Sequence, residues 1–595
     1  MPSSAPSSTP TDAIPTPSAA WLIVLVAAVA SLAVGFSPQP LWDEDEPRFA
    51  VIARTMVETG DWIVPMFNGE LAVDKPVLMH WAMAAAMTVF GPNEFAARLP
   101  SALATLATAL ALVWAGGRWI DRTTGVVAAL AFTGCLLVGI EAHAATPDAI
   151  LVALVTWATV LAADALLVRG GETPRLSVTR AGLVGGLLGL AVVCKGPVGF
   201  VGPLAVLVAW SWWRTACARA TAGHGPATTM TTTMTSWMAA AWAAVTGLRP
   251  VVVTAAALAT ALPWYTAVSL RTEGAWTAGF FLVHNVGRFM APMEKHGGGV
   301  LFHPLTMLVG LFPWSCFLPL AIVVAGRRVG WNRRGSIGDD VLRLALVWLG
   351  VWVIAFSAAA TKLPNYVLPA YPAAALLMAC LGVAAARHGW QHPRWMSVGV
   401  ASLAFGGLAM AATILVGTRH GLTNGSPAAV LGIVPVLGAA ACWVLGRSRP
   451  LAAVSALVAT GLITTALACG PAASWLARAN TVPAFVEGLR FLEGRPAPIA
   501  AYMVGSPNVV FYAGGRVTRI PDGGVAEAAE FLTAQPDGVL LLSEERLDEL
   551  SGALPPGWRV VDRARPLFRH HDLLAIRGPA TTAPRTARAD GEATR

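Results

Sequence analysis

The chain has 595 residues, 55% of them hydrophobic and only 12% charged, with a mean hydropathy of +0.61. Soluble domains carry about 25% charged residues, so this composition excludes a soluble protein and describes a polytopic membrane protein. The formal charge of +8 lies mostly in short loops between apolar runs, where positive-inside topology accounts for it and no nucleic-acid partner is implied.

Residues 1–18 are rich in Ser, Pro and Thr without a basic stretch, and read as a disordered cytoplasmic tail, not a signal peptide. Apolar runs of roughly 18 to 22 residues suffice to cross about 30 Å of hydrocarbon. About thirteen follow in order: Ala20–Phe36, Ala96–Ala115, Thr124–Ile140, Ala149–Leu167, Ala181–Val193, Gly199–Trp213, Val251–Leu270, Leu305–Ala325, Val341–Ala359, Val367–Ala386, Met396–Val416, Ala428–Leu445 and Leu451–Ala468. Together they predict a mainly α fold, a helical membrane bundle over residues 19–469. Every second loop carries arginines and little else, which places it in the cytoplasm. The alternate loops hold the acidic and mixed-charge segments and face outward.

The first outer loop, 37–94, has structure of its own. Pro47, the apolar positions Phe49, Ile52, Ala53 and Met56, and the stop at Gly60 predict an amphipathic helix lying along the membrane surface. The short run Val77–Phe90 predicts a second interfacial helix. After the last span, 470–578 reads as a small α/β domain outside the cytoplasm. Its strands are expected at Ile499–Met503, Val509–Tyr512, Val517–Ile520, Val539–Leu542, Trp558–Val561 and Leu573–Ile576, with helices at Val525–Ala534 and Glu545–Ala553. Residues 579–595 resemble the N-terminal tail. The seven cysteines are scattered and give neither a disulfide framework nor a metal site.

Four consecutive carboxylates, Asp43 to Glu46, follow the first span directly. Ionisable groups beside hydrocarbon are costly and are usually kept for function. Further outer-face groups are Asp74 and Asp148, with the cations Arg48, Lys75, Arg98, Lys195, Arg288, Lys295 and Lys362. One carboxylate to take a proton and several cations around a phosphate suit transfer from an activated phosphoester. Plainer readings stand beside this one. Asp74-Lys75-Pro76 also reads as a turn with an internal ion pair, Asp148 as a helix N-terminal charge and Lys195 as a snorkelling side chain. Arg98 also reads as an interface marker, and His284, His296 and His303 as solvated histidines.

The segments Asp45-Glu46-Pro47-Arg48-Phe49-Ala50, Gly60-Asp61-Trp62-Ile63-Val64-Pro65 and Asp74-Lys75-Pro76 resemble the first outer loop of the lipid A aminoarabinose transferases. These belong to the C-type polyprenyl-phosphate-sugar glycosyltransferases, to which protein O-mannosyltransferases are more distantly related. Arg98-Leu99-Pro100-Ser101, Thr146-Pro147-Asp148, Lys195-Gly196-Pro197, Asn285-Val286-Gly287-Arg288-Phe289, Phe312-Pro313-Trp314 and Thr361-Lys362-Leu363-Pro364-Asn365-Tyr366 extend the resemblance in order along the membrane region.

The resemblance implies an inverting glycosyltransferase in the inner membrane of a bacterium, with its active site facing the periplasm. It would move a sugar from a polyprenyl-phosphate donor to a lipid, glycan or protein acceptor. Asp45 would be the catalytic carboxylate, supported by Glu46. Lys75, Arg288, Lys362 and Tyr366 would hold the donor phosphate, with Arg48, Arg98, Asp148 and Lys195 in support. Some relatives use a divalent cation. Here the candidate ligands reduce to Asp74 and His284, because Asp replaces the Glu of the family's Glu-Lys-Pro and His284-Asn285 replaces a Glu-His pair. The rival class is a flippase for lipid-linked sugars, whose polar residues would line a conduction path. Carboxylates gathered at one face, with no pair of broken helices relating two halves, speak against it.

Overall fold

The structure is a computed structural model describing residues 39–42, 45–168, 175–222, 230–287, 297–330, 335–390, 392–419, 426–492, 495–504, 507–566 and 571–579, with Met290 and isolated positions between 23 and 34. The N-terminal tail and residues 580–595 lie outside the described residues, and so does most of the expected first span. The chain divides into two compact units. One comprises Met1–Gln39, Ile52–Phe67 and Leu71–Leu476; the other comprises Pro40–Val51, Asn68–Glu70 and Ala477–Arg595.

The first unit is helical. Among the described residues nine helices are long and apolar enough to cross a membrane, or ten if one bent pair counts as a single span. The chain is a multi-pass membrane protein. The bent pair is the expected Thr124–Ile140 span, which turns by 69° between Arg122–Thr133 and Leu136–Ala142. Leu305–Ala325, expected as one helix, is three pieces: Phe302–Gly310, a 3-10 turn at Trp314–Cys316, and Leu318–Val329. The Phe312–Pro313 peptide between them is cis. Proline inside a helix removes a backbone donor and clashes with the preceding turn, and a hydropathy count does not register either effect. Both first-loop helices form, as Asp45–Thr59 and Leu78–Phe90. Phe49, Ile52, Ala53 and Met56 are buried as the periodicity requires.

The Asp148–Val168 helix is central, with 78% of its membrane window buried. It packs between Glu94–Trp119 and Val178–Lys195. Near its far end the buried Asp164 accepts from Arg118 Nε at 2.5 Å, Arg180 at 2.8 Å and the Trp119 indole at 3.3 Å.

The second unit carries a five-stranded sheet, in spatial order Thr518–Ile520, Ile499–Tyr502, Val539–Ser543, Leu573–Arg577 and Arg559–Ala564. The first three strands are parallel and the last two antiparallel, with an irregularity between Val560 and Asp562. Val525–Ala534 is the expected helix. Val509–Tyr512, expected as a strand, lies instead in the helix Pro507–Ala513. A short, wholly buried apolar run looks alike in both states, and Pro507 at the first helical position decides it.

Removing Asp164 takes the acceptor from the buried Trp119 indole N–H as well as from the two arginines, and a buried donor left unsatisfied costs about 1–3 kcal/mol. Asp164→Ala is therefore expected to lower Tm in detergent thermal unfolding, whereas Asp522→Ala, whose carboxylate is 67% exposed and whose partner Arg546 is 37% exposed, should leave it nearly unchanged.

Candidate active site

In the first unit, the Gly60-to-Pro65 motif is a turn closed by Asp61, whose carboxylate accepts the N–H groups of Ile63 and Val64 at 3.0 and 3.3 Å and Arg271 at 2.8 Å. Burial opposes ionisation there, but these donors outweigh it and hold the Asp61 carboxyl below its ordinary value. Indole N–H groups packed against this loop find acceptors on its backbone. Trp81 donates to the Trp62 carbonyl at 2.7 Å, Trp264 to Ile63 at 3.0 Å and Trp276 to Ala72 at 2.7 Å. The strand of chain that delivers Asp74 and Lys75 is thus tied down on both sides.

Asp74 and Lys75 line a cavity of about 380 Å³, together with Asp148, Lys195, His284, Asn285, Thr361 and Tyr366. The rest of the wall is apolar and comes mainly from two helices. Val198, Val201, Gly202 and Ala205 lie on one face of Val198–Ala222, while Val351, Trp352, Ala355 and Phe356 lie on one face of Ile337–Ala358. Val198 begins just after Lys195, and the second face ends just before Thr361, so both run away from the polar groups. At 1.5 Å per residue the first extends for about 10 Å and the second for about 8 Å. Gly202 is needed there, since a Cβ would come within 2.5 Å of the Trp352 ring.

Asp148 opens its helix and Lys195 closes the next one. Each complements the dipole at its own helix end, and the two form an ion pair with side-chain exposures of only 4% and 13%. Asn365 donates to the second Asp148 oxygen at 3.2 Å, and the Lys195 ammonium stands 5.3 Å from the Tyr366 ring centre. The turn before Asp148 is held by Thr146, which donates to Glu141 at 2.7 Å, and by Ser101, which donates to the Thr146 carbonyl at 3.2 Å. After Lys195, Gly196 has φ +80°, and a Cβ there would meet the Phe280 ring at 2.7 Å. Phe280 in turn stacks on Trp276 at 5.0 Å and begins the π-helical turn Gly279–Gly287 that presents His284 and Asn285.

The structure brings Asp74, Lys75, Asp148, Lys195, His284 and Tyr366 to one cavity, and in the same unit Lys362 and Arg98 do not line it. The buried Lys362 ammonium donates to the carbonyls of Phe356 and Ser357 at 3.2 and 2.6 Å, so it caps the C-terminus of the Ile337–Ala358 helix. Arg98 is buried and donates to the Gln39 carbonyl at 2.8 Å. In the second unit, Asp45 is exposed at the start of its helix, and the buried Glu46 accepts the Trp42 N–H at 2.7 Å. Arg48 is half-buried in the same turn. Arg288 lies outside the described residues. Among the described residues no three His, Cys, Asp or Glu side chains are grouped to hold a metal. Asp74 and His284 alone fall short of the three protein ligands typical of a catalytic zinc site. Asn365 had no signal beyond the motif Thr361–Tyr366 that contains it, and Phe280 and Trp352 stood in no motif.

Residues 74–238 match the family model of the dolichyl-phosphate-mannose-protein mannosyltransferases. The chain is 31% identical over 348 residues to the undecaprenyl phosphate-alpha-4-amino-4-deoxy-L-arabinose arabinosyl transferase of Aeromonas salmonicida, covering 58% of this chain and 56% of that protein. It is 28% identical over 387 residues to the protein of the same name from Erwinia tasmaniensis, covering 64% and 63%. Over these regions the chain is similar in sequence to the aminoarabinose transferases. Over the matched regions it spans a little under two thirds of these curated relatives. The crystal structure of ArnT from Cupriavidus metallidurans bound to undecaprenyl phosphate aligns over 93% of this chain and 97% of that one, with a TM-score of 0.74 at 20% identity. That likeness establishes a common fold.

Gly196 combines a backbone conformation closed to other residues with a close ring contact, which costs about 2 kcal/mol or more on substitution. Gly196→Ala is expected to lower Tm by several degrees in detergent thermal unfolding. Gly182→Ala, in the preceding helix with nothing within 4 Å of its added methyl, should not lower it.

Proposed function

We propose that the chain is an inverting glycosyltransferase that moves a sugar from a polyprenyl-phosphate donor to a lipid, glycan or protein acceptor. The observation that carries this reading is the cavity, which joins lysines and hydrogen-bond donors at one end to about 8 to 10 Å of apolar wall along two helices. A molecule with an anionic head and a hydrocarbon tail fits such a lining. Each methylene withdrawn from water contributes about 0.8 kcal/mol, so the tail holds the donor and the polar groups orient its head.

Lys75 and Lys195 face Asp74 and Asp148 in this wall, so its formal charge is balanced before the donor enters. Tyr366 and Asn285 supply neutral donors, and in this reading Arg288 adds the positive charge that draws the phosphate. The Asp45 carboxylate accepts the acceptor hydroxyl's proton as its oxygen attacks the anomeric carbon. The bond from that carbon to the phosphate oxygen breaks on the opposite face, which inverts the configuration and releases polyprenyl phosphate. Glu46 holds the backbone that presents Asp45. No step requires a metal, and Asp74 and His284 would be the groups to hold one.

By analogy with the names of the curated relatives, undecaprenyl phosphate carrying 4-amino-4-deoxy-L-arabinose is the first donor to test. The proposed location is the inner membrane of a bacterium, with the transfer on the periplasmic face. The test uses the full chain in liposomes with radiolabelled donor. Asp45→Asn is expected to cut transfer roughly a thousandfold, in the range for loss of a general base, while donor binding stays within twofold. Full transfer by this variant would remove Asp45 from the mechanism, and movement of donor across the bilayer without transfer by the unmodified protein would favour a flippase.

A further inference from the structure

The second unit contains more than the C-terminal sheet, for it also includes Pro40–Val51 and Asn68–Glu70. The stretch that carries Asp45 is thus packed with residues that follow it by more than four hundred positions. The contacts are specific. The hydroxyl of Tyr512, on the helix Pro507–Ala513, accepts the backbone N–H of Leu41 at 2.9 Å. Leu41 is 1% exposed and Tyr512 8%, so water does not substitute for either partner. The next backbone donor, Trp42 N–H, is taken by Glu46. Two successive amides just before Asp45 therefore have fixed acceptors, one from the C-terminal unit and one from the helix itself.

A second grip lies at Asn68, which has φ +52°. Its side-chain amide pairs with the backbone of Val517 in both directions, donating to the carbonyl at 2.9 Å and accepting from the N–H at 2.9 Å. Arg519 reaches Glu70 at 3.4 Å beside it. A side-chain amide here imitates one rung of a sheet. The segment Tyr512 to Arg519 thus holds the outer loop at two points, on either side of Asp45 in sequence.

We propose that Tyr512 is a positioning residue for Asp45, so that the C-terminal domain is part of the catalytic apparatus and not an accessory to it. This rests on the reading of Asp45 as the general base. A carboxylate that must meet a hydroxyl within hydrogen-bond reach loses much of its effect when displaced by about 1 Å. A merely structural tyrosine would affect stability alone.

Tyr512→Phe keeps the ring and removes the acceptor. In full-length protein reconstituted in liposomes, kcat is expected to fall roughly thirtyfold, with KM for the donor within twofold, because the donor cavity lies in the other unit. Backbone amides 41–49 should exchange hydrogen faster than in the unmodified protein. Asp45→Asn combined with Tyr512→Phe should be no slower than Asp45→Asn alone, since groups acting as one are not additive. Should Tyr512→Phe reduce the yield of folded protein, Asn68→Ala releases the second grip without touching the core and is expected to lower kcat, not KM. An inactive Asp45→Asn beside unchanged kcat in Tyr512→Phe, or in Asn68→Ala where that variant stands in for it, overturns the positioning role alone. So does a loss confined to Tm. Full activity of Asp45→Asn overturns the base assignment and this proposal together.

Discussion

The ion pair between Asp148 and Lys195 is the interaction on which the membrane unit's cavity depends. It joins the start of one helix to the end of its neighbour, so each charge meets an opposite partner and a favourable helix terminus at once. Asn365 and Tyr366 complete the junction from the Pro364–Ala370 turn. In a low-dielectric setting either charge alone would be expensive, which makes the arrangement all-or-none. The consequence is a fixed wall whose formal charge is already neutral.

The same logic separates lysines that look alike in sequence. Lys75 and Lys195 reach the cavity, while Lys362 spends its donors on helix-end carbonyls. An ammonium at a C-terminus relieves unsatisfied carbonyls and complements the dipole, so Lys362 fixes where the Ile337–Ala358 helix stops. It thereby sets the position of Thr361 and of the Pro364–Ala370 turn that follows. Its contribution to the cavity passes through the backbone.

The bundle was largely legible because hydrophobic length is a direct physical requirement of a bilayer. The same count failed at Leu305–Ala325, where Pro313 interrupts hydrogen bonding without changing hydropathy, and at Val509–Tyr512, where burial hides the period. Capping at Gly60 and the charges at Asp148 and Lys195 were readable as local chemistry. The partners were not. Nothing near Arg98 announces that it binds the Gln39 carbonyl, or near Tyr512 that it binds Leu41, because such contacts join distant segments and leave no periodic trace. The motif Lys195-Gly196-Pro197 was visible as a break, but the reason for its glycine, a ring from Phe280, needed the fold.

In the proposed function the cavity of the membrane unit receives a polyprenyl phosphate with its head at the polar end, beside Lys75 and Tyr366, and its tail along the two apolar faces. A photoreactive group on the second isoprene unit of a short polyprenyl phosphate, followed by peptide mass spectrometry, tests this directly. Labelling within Val198–Ala205 and Val351–Ala359, abolished by excess unlabelled polyprenyl phosphate, is the predicted result. Saturable labelling confined to other helices would contradict the account.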